Sequence, residues 1–196
     1  MSPDLAALVG SRICHDLISP IGAIGNGVEL LSLTDGDTGP EMQLINESVQ
    51  NANARIRYFR IAYGATSEDQ MISRAEIVSI LAATARGGRF TYFWNVEGEQ
   101  SRRLVRCALL LMQCFEAALP MGGDIHVVQE GDQWRLSAEG PRLSVDGALW
   151  DTMSRPVVGY EYTAAQVQFA LIPGVMAEAG RKLRLTMDTD KLVAVF

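Results

Sequence analysis

The sequence predicts an α+β fold in which a long helical hairpin is followed by a layered domain of strands and shorter helices. Two stretches, residues 3–33 and 40–65, place apolar residues at alternating steps of four and three, which is the spacing of one helix face. From about residue 72 the pattern changes to short strands and helices. The polar segment 66–70 separates the two sequence patterns, so we expect domains at 1–68 and 72–196.

The predicted hairpin is expected to pair with a second copy of itself. Each helix would be about 40 Å long at a rise of 1.5 Å per residue, and a lone hairpin covers only part of two apolar stripes. A two-fold homodimer that forms a four-helix bundle covers more. The segment 34–39 reads as the connecting turn. The stripes comprise Ile13, Leu17, Pro20, Ile24, Val28 and Leu31 in the first helix, and Ile45, Val49, Ala52, Ile56, Phe59 and Tyr63 in the second.

The second half reads as an α/β sandwich. Strands are expected at residues 90–96, 125–129, 134–138, 183–187 and 192–196, and helices at 77–85, 103–119 and 164–179. The helix at 103–119 is expected to be buried. A turn at 188–191 joins the last two strands.

Composition restricts the partners. The 196 residues carry a formal charge of −6, which argues against a nucleic-acid surface because phosphate binding relies on clustered Lys and Arg. No secretory leader and no apolar run near the roughly 20 residues of a membrane span is visible, so we expect a cytoplasmic protein with no membrane association. Another protein is the expected partner.

His15 is the candidate catalytic residue. It lies about 170° around the first helix from the middle of the apolar stripe, so it should face outward. A lone helix histidine is usually a solvent-facing residue without a role. Here Asp16 follows directly, and Pro20 lies inside the helix at a cost of about 3 kcal/mol. That cost suggests a purpose near His15.

The string HDLISP, residues 15–20, resembles the phosphoacceptor box of histidine kinases, and SRICHDLISPIGAIGNGVELL resembles the first helix of ChpT-type histidine phosphotransferases. The resemblance implies that His15 is a catalytic phosphoacceptor. Asp16 would hold the ring or accept its proton. Partner contacts are expected around His15, with Gly22, Gly25 and Gly27 keeping the surface low for an approaching helix. The predicted contact residues are Arg12, Ser19, Gly22, Gly25 and Asn26.

The second half resembles a degenerate Bergerat domain, the ATPase-like domain of histidine kinases. In the N-box-like segment 113–120, Ala117 stands where a metal-binding Asn is expected. In the segment AEGPR, Ala138 replaces the adenine-reading Asp and Arg142 replaces a glycine. The third glycine motif is replaced at 163–169. We therefore expect no ATP binding, no metal and no other cofactor in this chain.

The resemblance implies a histidine phosphotransferase in a multistep phosphorelay. His15 would accept phosphate from the receiver aspartate of a hybrid histidine kinase and pass it to the receiver domains of response regulators, which supply Mg²⁺ themselves. Two alternatives remain open: a non-catalytic dimeric scaffold that docks receivers, and an ATP-dependent histidine kinase with a divergent pocket.

Overall fold

A computed structural model describes residues 4–33, 39–67, 69–155, 157, 159–188 and 190–196. It has the α+β fold class that the sequence predicts, with a helical hairpin followed by an α/β sandwich. Most of the predicted turn at 34–39 lies outside the described residues, as do Glu68 at the predicted domain boundary and Thr189 in the predicted final turn.

The hairpin consists of α1 (Leu5–Leu33) and α2 (Gly39–Ala62). Asp4 caps α1, because its Oδ1 accepts a hydrogen bond of 3.1 Å from the Ala7 amide. The helix continues through Pro20, which is buried as a member of the predicted apolar stripe. The proline therefore lies at a packing surface within α1 and does not end the helix.

The second half contains two sheets. Strands β1 (Met71–Ile72) and β3 (Gln100–Ser101) form a small antiparallel pair that the sequence analysis missed. The main sheet has the order β2-β4-β5-β7-β6, in which only the β2–β4 pair is parallel. Its strands are β2 (Phe90–Asn95), β4 (Gly123–Glu130), β5 (Gln133–Glu139), β6 (Arg184–Met187) and β7 (Lys191–Val195).

Helices cover one side of this sheet. They are α3 (Arg74–Ala85), α4 (Arg102–Ala118), α5 (Gly147–Asp151) and α6 (Val167–Glu178), and a 3-10 helix (Ala164–Gln166) precedes α6. The short α5 was not predicted, and the first turn of the predicted helix at 164–179 is the 3-10 helix. Helix α4 touches β4 and β5 on one side and α2 and α6 on the other. That position buries most of the apolar side chains of α4.

The base of the hairpin joins the core of the second domain. Tyr58, Phe59 and Ile61 of α2 belong to the same buried cluster as α4 and the sheet. The Tyr58 hydroxyl donates a 2.7 Å hydrogen bond to the Leu109 carbonyl, and Arg106 Nε donates to the Ala62 carbonyl at 3.2 Å. Since the two parts share one core, the proposed division at 1–68 and 72–196 stays a prediction.

The predicted helix stripes are buried only in part. Pro20, Ala52 and Phe59 are buried, whereas Val28, Val49 and Ile56 are between 39% and 54% exposed. Within one chain, α1 and α2 can cover only the apolar residues that face each other. The remaining apolar residues form an uncovered face on the hairpin.

A tight contact between Gly27 of α1 and Ile45 of α2 predicts a contrast between glycines of α1. A Cβ on Gly27 would lie 2.6 Å from Cγ1 of Ile45, whereas a Cβ on Gly22 meets nothing within 4 Å. We expect Gly22→Ala to raise the free energy of unfolding by about 0.5–1 kcal/mol through helix propensity. Gly27→Ala should lower it by about 1–3 kcal/mol because α2 must shift. Urea denaturation checks both, and equal effects would contradict the observed close approach.

Candidate functional site

The His15 ring projects from α1 into solvent, and its side chain is 84% exposed. Its Nδ1 lies 3.1 Å from Oδ1 of Asp16. An ionised carboxylate accepts hydrogen bonds but cannot donate, so this contact favours the neutral tautomer that carries its proton on Nδ1. Among the described residues Asp16 is the only hydrogen-bond partner of the ring. The unprotonated Nε2 is therefore available as a nucleophile at the surface.

Asp16 is shielded, in contrast to the ring it holds. Its side chain is 13% exposed, and its Oδ2 accepts a 2.8 Å bond from Arg12 Nε, one helical turn earlier. A second Arg12 nitrogen, Nη1, donates to the carbonyl of Ala165 at 3.1 Å. Burial is the largest influence on the pKa of Arg12 and lowers it, but the charge and hydrogen bond of Asp16, together with Tyr63 and Glu116, raise the pKa above its ordinary value. Arg12 therefore stays charged near neutral pH.

The other predicted contact residues continue along α1 from His15. Ser19, Gly22 and Asn26 follow it at steps of four, seven and eleven, and they share its helix face. Gly25 lies to one side of that face. All four are exposed. A Cβ added to Gly22 or to Gly25 would meet no atom within 4 Å. The surface beside His15 is therefore low at Gly22 and Gly25, and the role of these residues in binding stays a prediction. Gly27 is buried against Ile45 of α2, so the expectation that it also keeps this surface low is wrong.

Arg12 occupies a different place from these four residues. Its side chain is 19% exposed and lies between α1 and the 3-10 helix of the second domain. The structure therefore groups Arg12 with Asp16 and the domain interface. Its predicted contact with a partner remains untested.

A cavity of about 510 Å³ opens beside Asp16, and sequence reasoning missed it. Arg12, Arg55 and Arg89 contribute positive charge to its lining, and Asp16 and Glu116 contribute negative charge. The carboxylate of Glu116 accepts a 2.8 Å hydrogen bond from the Tyr92 hydroxyl. Burial raises the pKa of Glu116 from 4.5 to about 6.

Glu116 and Gln113 are polar residues in the otherwise apolar part of α4 that follows Arg106. They lie three positions apart on the face of α4 that meets the cavity. Gln113 accepts a 2.7 Å bond from the Tyr63 hydroxyl. Two polar residues three positions apart in an apolar stretch of helix could have predicted a polar cavity beside α4. Both residues fall within the N-box-like segment, which the sequence analysis read only for its missing metal ligand.

The residues of the segments that resemble nucleotide-binding motifs differ in their burial. Ala138 is buried in β5, and Ala117 and Arg142 are exposed. A Cβ on Gly140 would come within 2.5 Å of the Gly122 carbonyl oxygen. The glycine that persists in AEGPR is therefore required by the packing of β5 against the start of β4.

Within the described ranges, no group of three His, Cys, Asp or Glu side chains is arranged to hold a metal ion. None of the described helices is both long enough and apolar enough to cross a membrane.

The fold and the site define a class of protein in which an exposed histidine on a helical hairpin is packed against a mixed α/β sandwich. Residues 74–191 match the family described as histidine phosphotransferase C-terminal domain. The chain is 31% identical over 198 residues to protein phosphotransferase ChpT of Brucella abortus (strain 2308), covering 97% of this chain and 93% of that protein. The chain belongs to the histidine phosphotransferase family, which confirms the resemblance of its first helix.

A solved structure agrees with this assignment. The structure described as "1.7 Angstrom Structure of a Bacterial Phosphotransferase" superposes with a TM-score of 0.81 at 30% identity, over 98% of this chain and 95% of that chain. The similarity extends over both the hairpin and the sandwich. The predicted class of enzyme, a phosphotransferase, is therefore confirmed.

The raised pKa of Glu116 predicts pH-dependent stability. The folded protein holds the Glu116 proton more tightly than the unfolded chain, so this stabilisation is present below pH 4.5 and is lost as pH rises to about 6. Glu116→Gln keeps an oxygen for the Tyr92 hydroxyl but carries no charge. It should raise the free energy of unfolding at pH 7.5 by up to about 2 kcal/mol and have little effect at pH 4.

Denaturant titrations at the two pH values test this expectation, with the exposed Glu161→Gln as a control that should change little at either pH. A Glu116→Gln protein that is equally destabilised at both values would contradict the assignment of the pKa shift to burial.

Proposed function

We propose that this chain carries a phosphoryl group on Nε2 of His15 in a multistep phosphorelay. The group comes from the receiver aspartate of a hybrid histidine kinase and passes to the receivers of response regulators. The observation that carries the proposal is the 84% exposed ring whose Nδ1 faces the carboxylate of Asp16. This arrangement supplies a nucleophile that a partner can reach and an acid that supports the charge the ring acquires.

In the transfer step, the Nε2 lone pair forms a bond to phosphorus as the bond from phosphorus to the aspartate oxygen breaks. The leaving electron pair stays on the receiver's carboxylate. The phosphorylated ring carries positive charge through its Nδ1 proton, which Asp16 stabilises or accepts. The same steps in reverse deliver the group to the next receiver.

The proposed relay requires neither nucleotide nor metal from this chain. The replacements at Ala117, Ala138 and Arg142 support this view, because alanine offers no ligand to magnesium or adenine and arginine fills space that a glycine would leave open. We place the cation in the receiver domain, where the aspartate is phosphorylated. The protein would work in the cytoplasm, without nucleic acid or membrane partners.

The uncovered face of the hairpin supports a homodimer. Met42, Val49 and Ile56 recur every seven residues along α2 and are 47%, 39% and 50% exposed. On α1, Ile21 and Val28 show the same seven-residue step and are 58% and 54% exposed. Seven-residue apolar repeats on both helices suit a bundle with a second copy. In that bundle the two His15 rings would remain outside.

Replacing His15 tests the phosphocarrier role. With a phosphorylated receiver as donor, we expect His15→Ala to abolish transfer and to remove the acid-labile, alkali-stable phosphate from the chain. His126→Ala is the matched control: this histidine stacks on Phe93 at 4.3 Å, on a strand far along the chain, and its loss should leave transfer within about twofold.

Three results separate the alternatives. Labelling of His15 by ATP alone would favour a kinase. Binding of receivers without any phosphate on the chain would favour a scaffold. Transfer that persists in His15→Ala would end the phosphocarrier proposal.

A charged residue introduced into the interface of the proposed dimer should separate the two copies. Ile56→Glu would place two carboxylates at the centre of the proposed bundle, so sedimentation equilibrium should show the mass of one chain instead of two at micromolar concentration. Met187→Glu introduces the same charge on β6, at a residue that is 45% exposed, and should leave the mass unchanged. A wild-type protein that is monomeric at these concentrations would refute the dimer.

A further inference from the structure

Arg12 links the acid beside His15 to the second domain. One side of its guanidinium bonds Asp16, and another nitrogen bonds the Ala165 carbonyl, which is 153 residues away in sequence. The side chains of Arg12 and Asp16 are 19% and 13% exposed, so the bond between them is largely shielded from water. A shielded pair holds its geometry better than an exposed one.

The Ala165 carbonyl is itself held in place. It belongs to the 3-10 helix, whose first turn is closed by a capping box in which the Thr163 amide donates to Gln166 Oε1 at 3.0 Å. Gln168 Nε2 also donates to the Ala165 oxygen at 3.0 Å. Gln168 is 1% exposed, so this second donor is fixed by the core.

The bond between His15 and Asp16 needs this support. Adjacent residues of a helix diverge by about 100° and do not normally face each other. The 3.1 Å contact therefore depends on the rotamer of Asp16. Arg12 engages Oδ2 from one turn earlier, which leaves Oδ1 turned toward the ring.

We propose that Arg12 is a positioning residue through which the second domain holds Asp16, and thereby the His15 ring, in the geometry that phosphoryl transfer requires. This inference rests on the proposed function of His15. It assigns the second domain a part in the chemistry that does not depend on a nucleotide. Arg12 touches neither the phosphoryl group nor the ring, and it acts through Asp16 alone.

The test is a single-turnover transfer assay between the full-length protein and a phosphorylated receiver, combined with ¹⁵N spectra of the His15 ring. Arg12→Ala should lower the transfer rate constant by about 10- to 100-fold, as small misplacements of catalytic groups do. Its ring spectrum should show mixed tautomers where the wild type shows the form protonated at Nδ1. Receiver binding should be unchanged. Arg12→Lys keeps the charge and should recover part of the rate.

Arg155→Ala is the matched control, because it breaks another Arg–Asp pair at the same i, i+4 spacing, with Asp151 at 2.6 Å, away from α1. Its rate constant and His15 spectrum should equal those of the wild type. Gln168→Leu tests the link from the other domain. It removes a donor to Ala165 and also a buried Oε1 atom that has no hydrogen-bond partner, so the fold should tolerate it. We expect a smaller rate loss, of about 2- to 5-fold, with the same change in tautomers.

Each result decides the proposal. An unchanged rate constant and spectrum in Arg12→Ala would overturn it and leave the phosphocarrier role of His15 intact. Weakened receiver binding with an unchanged rate constant would also overturn it and would make Arg12 a contact residue. An absence of phosphate on wild-type His15 is a failure of the proposed function instead. Thermal melts identify a variant that does not fold, and Arg12→Lys and Gln168→Leu then carry the test.

Discussion

The packing of the hairpin base against α4 is the constraint on which the rest of the structure depends. The C-terminal turns of α2 enter the core of the second domain, where the Tyr58 hydroxyl binds the Leu109 carbonyl and Arg106 binds the Ala62 carbonyl. Because α1 packs along α2, this junction also fixes α1 relative to the 3-10 helix and α6. That register brings Arg12 within 3.1 Å of the Ala165 carbonyl, and Arg12 also contacts Asp16, which lies beside His15.

The hairpin must satisfy two packing demands with one sequence. On its inward side α1 and α2 pack closely against each other, because Gly27 of α1 leaves room for Ile45 of α2. Its outward side keeps apolar residues at seven-residue steps, which cost free energy while exposed to water. A stripe read from spacing alone merges the two sides, because steps of three and four describe both. This is why the sequence predicted the apolar positions of α1 and α2 correctly but did not separate those buried within the chain from those left uncovered.

The sequence therefore predicted local features better than long-range ones. The helices, the five main strands and the exposure of His15 follow from periodicity within one element, and all of them were found. Asp16 was identified because it adjoins His15. The Ala165 carbonyl could not be predicted, since a backbone atom 153 residues from Arg12 leaves no residue-type signal. The β1–β3 pair has strands of two residues each, too short to show any alternation. The cavity beside Glu116 depends on how α2, α4 and β2 meet, which is a tertiary property.

The charges around His15 explain why an acid next to a phosphate acceptor need not hinder it. In the proposed transfer, a phosphoryl group approaching Nε2 carries negative charge. A bare carboxylate held at Nδ1, about 7 Å from that phosphorus, would repel it by roughly 0.6 kcal/mol per unit charge in water and by about 2 kcal/mol at a protein surface of lower dielectric. Arg12 lies against Asp16 and offsets that repulsion, while Oδ1 still accepts from Nδ1. The site thus keeps the carboxylate where the ring needs it and screens it from the incoming group. Because Arg12 is also bound to the second domain, the same residue that neutralises the acid holds it in place.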